Sequence, residues 1–127
     1  MAIIGTVLIA VAALLHVLIF VMESVTWTRP ATWRRFGLRD QATAETVRPM
    51  AYNQGFYNLF LAVGAALGLA LYWQAHLQQA GAAIAVFAAS CMVAASLVLL
   101  STGRSYLRAA LFQGAIPLVG LLFLLAA

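Results

Sequence analysis

Acid–base chemistry in this chain would depend on His16 and Glu23, which stand seven positions apart in an otherwise apolar stretch. Seven residues make about two helical turns, so both side chains share one helix face with Phe20 and Trp27. An imidazole and a carboxylate can take up and return a proton, and we predict that His16 and Glu23 are catalytic. Because two turns separate them by about 10 Å, water, another helix or a ligand must connect them. The alternatives are a structural histidine and an interfacial acid that pairs with arginine.

A second polar group lies further along the chain, where amide and phenol side chains fall within about 140° of one helix face. Small residues continue that face as far as Gly68, whereas Phe56 and Phe60 lie on the opposite face, which we expect to contact lipid. Amides and phenols can orient the polar head of a bound molecule. The predicted substrate-binding residues are Asn53, Gln54, Tyr57, Asn58, Gln113 and Trp27.

Several of these residues are expected at a similar depth in the membrane. At 1.5 Å per residue from the arginine-rich edge, His16, Tyr57, Asn58 and Gln113 lie roughly 10–16 Å deep. Pro117 also frees the carbonyl of Gln113 by removing its helical hydrogen bond. The sequence therefore predicts a polar pocket open toward the inner leaflet and closed on the outer side by small residues.

Composition indicates the elements that position this pocket. The 127 residues are 65% hydrophobic and 8% charged, against about 25% charged residues in soluble domains. We predict an all-α integral membrane protein, a four-transmembrane-helix bundle forming a single domain over 1–127, with the first apolar run kept as a helix and not cleaved as a signal peptide. The expected helices are 2–27, 50–73, 80–102 and 105–127, each near the ~20 residues that a span needs.

An amphipathic interfacial loop is expected over 28–48, either as a solvated basic loop or as a lid. Pro30 and Gly37 predict the start and end of a short helix within it. Asp40 predicts the cap of a second short helix, and Pro49 the start of the second membrane helix.

All seven basic residues are arginines, five of them between positions 29 and 48 and two at Arg104 and Arg108. The connection around His76 has no formal charge. The positive-inside rule then places both basic loops in the cytoplasm and both termini outside, in the cell inner (plasma) membrane. The net charge of +4 is explained by this topology, so membrane lipids are expected partners, nucleic acid is not, and a homo-oligomer is left open.

Several chemistries are not expected. His16 and Glu23 are too few ligands for a metal site or a bis-histidine haem, and a glycine-rich phosphate loop is lacking, so no cofactor is predicted. Cys91 fits a small apolar filler. A serine or cysteine nucleophile on the third helix would require His16 beside it, which the sequence cannot place.

Four motifs carry a family resemblance: His16, Glu23 and Trp27 in the first helix, then Phe36-Gly37-Leu38, then Asn53-Gln54-Gly55-Phe56-Tyr57-Asn58, then Gln113-Gly114 with Pro117. The chain resembles a family of small four-helix bacterial and fungal membrane proteins catalogued as a domain of unknown function. The resemblance implies the four-helix fold and no activity.

Three hypotheses follow. In the first, a lipophilic or amphipathic small molecule enters from the inner leaflet and His16 and Glu23 catalyse its isomerisation or hydration, in a layout analogous to membrane sterol isomerases. In the second, the protein is a small proton-coupled exporter of hydrophobic compounds, although the strong arginine asymmetry is unlike that class. In the third, it is a non-catalytic binding or assembly subunit.

Overall fold

A computed structural model describes all residues 1–127, and its regular elements are all helical. Five α-helices are joined by short turns, one of them π-helical and two of them 3-10. In chain order the elements are α1 (Ala2–Phe20) with a π-helical turn (Val21–Val25), α2 (Pro30–Trp33) with a 3-10 turn (Arg34–Phe36), α3 (Gln41–Tyr72), α4 (Gln78–Ser101), a 3-10 turn (Arg104–Tyr106) and α5 (Leu107–Leu125).

Four segments are long and apolar enough to cross a membrane, which confirms the predicted multi-pass, all-α class. These segments are Ala2–Val25, Gln41–Tyr72, Gln78–Ser101 and Arg104–Leu125. Most residues on their outer faces are large and apolar, as lipid contact requires.

The chain forms two compact units. The bundle unit comprises Met1–Leu15 and Leu61–Ala127, and so contains parts of α1 and α3 with all of α4 and α5. The linker unit comprises His16–Phe60, the end of α1 through the first half of α3.

Small residues form most of the core of the bundle unit. Ala65, Ala85 and Ala89 are fully buried, with the larger Ile9 and Met92 between them. Because lipid tails are as apolar as these side chains, close van der Waals packing is what favours helix association here. In α1, small Ala12 and Ala13 are buried whereas bulky Leu14 and Leu18 are exposed.

Glycines bring helix backbones of the bundle unit together. A Cβ atom on Gly5 would lie 2.7 Å from the backbone nitrogen of Leu124, and one on Gly81 would lie 2.2 Å from that of Tyr72. Both distances are shorter than real Cβ contacts, so any side chain here would force the helices apart. The α3–α4 connection therefore depends on Gly81.

The linker unit begins with the short helix that Pro30 and Gly37 predicted. Pro30 is the first residue of α2, and Gly37 ends the following 3-10 turn with a φ of 80°. This left-handed conformation is easily adopted by glycine and strained for most other residues.

The predicted start of a membrane helix at Pro49 is wrong, because α3 begins at Gln41 and continues through this proline. The first turns of α3 are held from outside: Trp33 Nε1 donates to Gln41 Oε1 (2.9 Å), and Trp27 Nε1 donates to the Ala44 carbonyl oxygen (2.8 Å). A proline costs a helix one hydrogen bond and some strain, and these contacts offset that cost. The predicted interfacial loop is correspondingly shorter.

Asp40 caps α3 as predicted, although the helix it begins is the membrane helix itself. Its Oδ1 accepts from the Thr43 backbone N–H (2.7 Å), and its Oδ2 accepts from the Thr43 hydroxyl (2.9 Å). These bonds favour the charged carboxylate and lower the pKa of Asp40 below its ordinary value.

This cap predicts a pH dependence of stability. A carboxyl with a lowered folded-state pKa stabilises the fold above its unfolded pKa of about 3.9, and the stabilisation disappears as the pH falls through the folded value. We expect the wild type to unfold at a higher temperature than Asp40→Asn at pH 6, with the gap closing as the pH approaches 3. A thermal midpoint difference that stays constant between pH 6 and pH 3 would contradict this.

Candidate functional site

The end of α1 and the first half of α3 bring Glu23 and Asn58 together. Asn58 Nδ2 donates to Glu23 Oε2 at 2.9 Å and to the Gln54 carbonyl oxygen at 3.1 Å. Asn58 is buried and Glu23 is half-buried. The sequence predicted both as site residues, and the structure joins them directly.

Glu23 lies at the centre of the π-helical turn Val21–Val25. The Thr26 N–H donates to the Val21 carbonyl oxygen, five residues back, at 2.9 Å. Such a turn contains one residue more than an α-helical turn and rotates the side chains that follow it. The regular 3.6-residue face assumed from the sequence therefore does not extend past Phe20.

A contact missed from the sequence holds this turn against α3. Ser24 Oγ donates to the Tyr52 carbonyl oxygen at 2.9 Å. Gly55 lies directly opposite, where a Cβ atom would come within 2.0 Å of Ser24 Oγ and 3.1 Å of Glu23 Cβ. A glycine within the polar cluster of α3 was the available signal, since a residue without a Cβ atom permits this approach.

Two recesses open beside Glu23. The larger, about 270 Å³, is lined by Glu23, Trp27, Val47, Met50, Ala51 and Gln54. The smaller, about 20 Å³, is lined by Glu23, Ser24, Val25, Trp27, Thr28, Arg48 and Tyr52, and it has room for about one water molecule. Both recesses share the carboxylate and the indole.

Trp27 forms a fixed wall of these recesses. Its side chain is buried, its N–H is bonded to the Ala44 carbonyl oxygen, and its ring meets Phe36 edge-on at 5.0 Å between centroids. With the N–H already bonded inside the protein, the indole offers a bound molecule an apolar surface.

The remaining predicted residues differ in burial and in whether they line a recess. His16 is fully buried and lines neither recess. Asn53, Gln54 and Tyr57 are all exposed, and of the three only Gln54 lines a recess. Gln113 is half-buried in the bundle unit.

The expectation that Phe56 faces lipid is wrong. Its ring packs edge-on against Phe20 at 5.1 Å between centroids. Tyr57, expected in the pocket, is 56% exposed and packs on Phe60 instead. In the linker unit, α3 therefore directs Phe56 as well as Asn58 toward neighbouring segments of the protein. Tyr57, which was expected on the same face as Asn58, points away from them.

A family model described as "Protein of unknown function (DUF1304)" matches residues 10–125. The chain belongs to this family. The matched range includes Glu23, Asn58 and both recesses, and it confirms the resemblance to a small four-helix membrane family. No curated protein and no solved structure matches the chain. The family description names no activity, so a functional argument must start from the site itself.

Proposed function

We propose that this protein binds an amphipathic small molecule in the larger recess, with the polar head of that molecule hydrogen-bonded to Glu23. The observation that supports this most is the Asn58–Glu23 hydrogen bond at 2.9 Å, which orients a carboxylate beside a recess of about 270 Å³. That volume is slightly below the roughly 300 Å³ at which small-molecule sites begin, so the occupant must be small or must extend beyond the recess.

The lining of the recess fits such a molecule. Val47, Met50, Ala51 and the Trp27 ring supply apolar surface for a hydrocarbon portion. Asn58 donates to one carboxylate oxygen of Glu23, and a carboxylate has about four acceptor positions, so positions remain for a ligand. The head group must therefore donate hydrogen bonds, as an ammonium or a hydroxyl does.

Proton transfer to the bound molecule is a second candidate function, and the same orientation of the Glu23 carboxylate favours it. A carboxylate held on one side can remove a proton from one carbon of a lipophilic substrate and return it at another, which is an isomerisation. Because His16 lines neither recess, this proposal assigns the proton transfer to Glu23, and His16 would act through packing.

The binding proposal is tested with dodecylamine, a simple lipophilic amine, titrated calorimetrically into the protein in uncharged detergent. A hydrogen bond to a charged group contributes about 1.5–3 kcal/mol, so we expect Glu23→Gln to weaken binding roughly 10- to 100-fold. Glu45→Gln is the matched control, because Glu45 is exposed, bonds to Gln41 and lines neither recess. Equal affinities of the wild type and Glu23→Gln would refute the proposal.

Three further measurements separate binding, catalysis and export. Mass spectrometry of the natively purified protein identifies any retained molecule, and incubation in D₂O places deuterium on its carbon atoms if Glu23 isomerises it. Loss of that label in Glu23→Gln would support catalysis, and its absence in the wild type would rule it out. Proton release upon dodecylamine addition, lost in Glu23→Gln, would favour proton-coupled export.

A further inference from the structure

Four arginines lie in the short connection between the first two membrane spans. Arg29, Arg34, Arg35 and Arg39 are all exposed, and no acidic residue lies between the first and the last of them. The connection joins the span that ends at Val25 to the span that begins at Gln41. Because the connection is short, we expect its arginines to lie near the membrane surface, where lipid headgroups are.

The nearest acidic side chains are engaged by uncharged groups. Asp40 accepts hydrogen bonds from the backbone N–H and the hydroxyl of Thr43, and Glu45 accepts from Gln41 Nε2 at 3.0 Å. Neither carboxylate is bonded to an arginine, so the arginines of the connection keep their N–H donors for another anion.

The connection is also a folded platform. Trp33 is buried and bonded to Gln41, and Gln41 Nε2 donates to the Thr28 carbonyl oxygen at 3.1 Å. The Arg34 guanidinium lies over the Trp33 ring, 5.3 Å from its centroid. A guanidinium stacked on a fixed ring loses less freedom on binding, and its planar set of N–H donors matches phosphate oxygens.

We propose that this arginine platform, residues 29–39, is a binding site for the phosphate of an anionic phospholipid headgroup. The site is distinct from the recess beside Glu23 and does not depend on the function proposed for it. Charge complementarity and the position between two spans both favour a lipid phosphate from the surrounding bilayer.

The test compares phosphatidylglycerol with phosphatidylcholine of the same acyl chains, each titrated into the protein in uncharged detergent while the thermal midpoint and the retained lipid are measured. We expect phosphatidylglycerol to raise the midpoint more, by an amount that falls with added NaCl. For R34Q/R35Q we expect about 30-fold weaker phosphatidylglycerol binding. The matched control R104Q/R108Q also removes two exposed arginines, and it should weaken phosphatidylglycerol binding clearly less than R34Q/R35Q does.

Three outcomes would overturn the proposal: equal effects of the two lipids, equal losses in the two double variants, or an equal midpoint increase from soluble glycerol phosphate. The last would indicate a site for free phosphate esters. If R34Q/R35Q fails to fold, R35Q alone replaces it, because Arg35 is exposed. In that case about five-fold weaker binding supports the proposal and unchanged binding refutes it.

Discussion

Replacing Gly68 with alanine is expected to destabilise the bundle unit by about 3 kcal/mol, the upper part of the usual range for overpacking. A Cβ atom at this position would lie 2.4 Å from the Ala85 backbone nitrogen and 2.7 Å from its Cα atom. Both neighbours are backbone atoms of α4, so no side-chain rotation relieves the overlap. The α3 and α4 helices would have to separate, and buried alanines of both helices would lose their contacts.

Gly64, one turn earlier on the same helix, provides the control. A Cβ atom there would meet Ala88 Cβ at 3.6 Å, an ordinary contact. Because alanine is the better helix former, Gly64→Ala should be neutral or stabilise the protein by up to about 1 kcal/mol. Unfolding in mixed micelles with increasing sodium dodecyl sulfate measures both variants. Equal effects would show that helix propensity, and not the contact with Ala85, decides stability here.

Gly55→Ala is the second substitution with a large expected effect, because it acts on the site as well as on stability. The added Cβ atom would overlap Ser24 Oγ and press on Glu23 Cβ. Since one of these atoms is a rotatable hydroxyl, we expect a smaller loss than at Gly68, about 1–2 kcal/mol. Displacement of the π-helical turn would also move Glu23 away from Asn58, so dodecylamine binding should weaken by about 10-fold, the loss of one hydrogen bond to a charged group.

Ser24→Ala provides the test of this mechanism. Alone, it removes the hydrogen bond to the Tyr52 carbonyl oxygen, at a cost of about 1 kcal/mol. In the double variant Ser24→Ala/Gly55→Ala, the Ser24 hydroxyl that the new Cβ atom would overlap is absent. The loss of unfolding free energy should therefore be smaller than the sum of the two single losses. A double-mutant cycle of unfolding free energies measures the coupling. Strict additivity would mean that the Gly55 effect does not act through Ser24.

The sequence predicted the helices that cross the membrane better than the turns between them. Hydropathy located all four spans because about 20 apolar residues have few alternatives to a membrane helix. The start of α3 was placed nine residues late because a proline after a basic stretch is typical of a helix start. Contacts from Trp27 and Trp33 to the first turn of α3 hold the helix in place before Pro49, and periodicity cannot show contacts between separate segments.

Of the residues predicted for the candidate site, some line a recess or bond to Glu23 and others do neither. Glu23, Asn58, Trp27 and Gln54 were predicted because polar or aromatic groups in apolar helices are rare. The structure places Glu23, Trp27 and Gln54 around one recess and bonds Asn58 to Glu23. Tyr57 and Asn53 share the same sequence signal and are exposed. Phe56, assigned to lipid, packs on Phe20 instead, because the rotation of a helix about its axis depends on the surface it packs against.

His16 and Glu23 show most clearly what the sequence determines and what the tertiary structure determines. The sequence alone determined that these two ionisable groups belong to one membrane-spanning segment, because hydropathy is a local property of the chain. Only the tertiary structure decided that Glu23 bonds to Asn58 while His16 is fully buried and lines neither recess. The physical reason is the π-helical turn that contains Glu23, because its extra residue changes the direction of the side chains and has no local sequence signature. Gly55 on α3 leaves the space that this turn occupies.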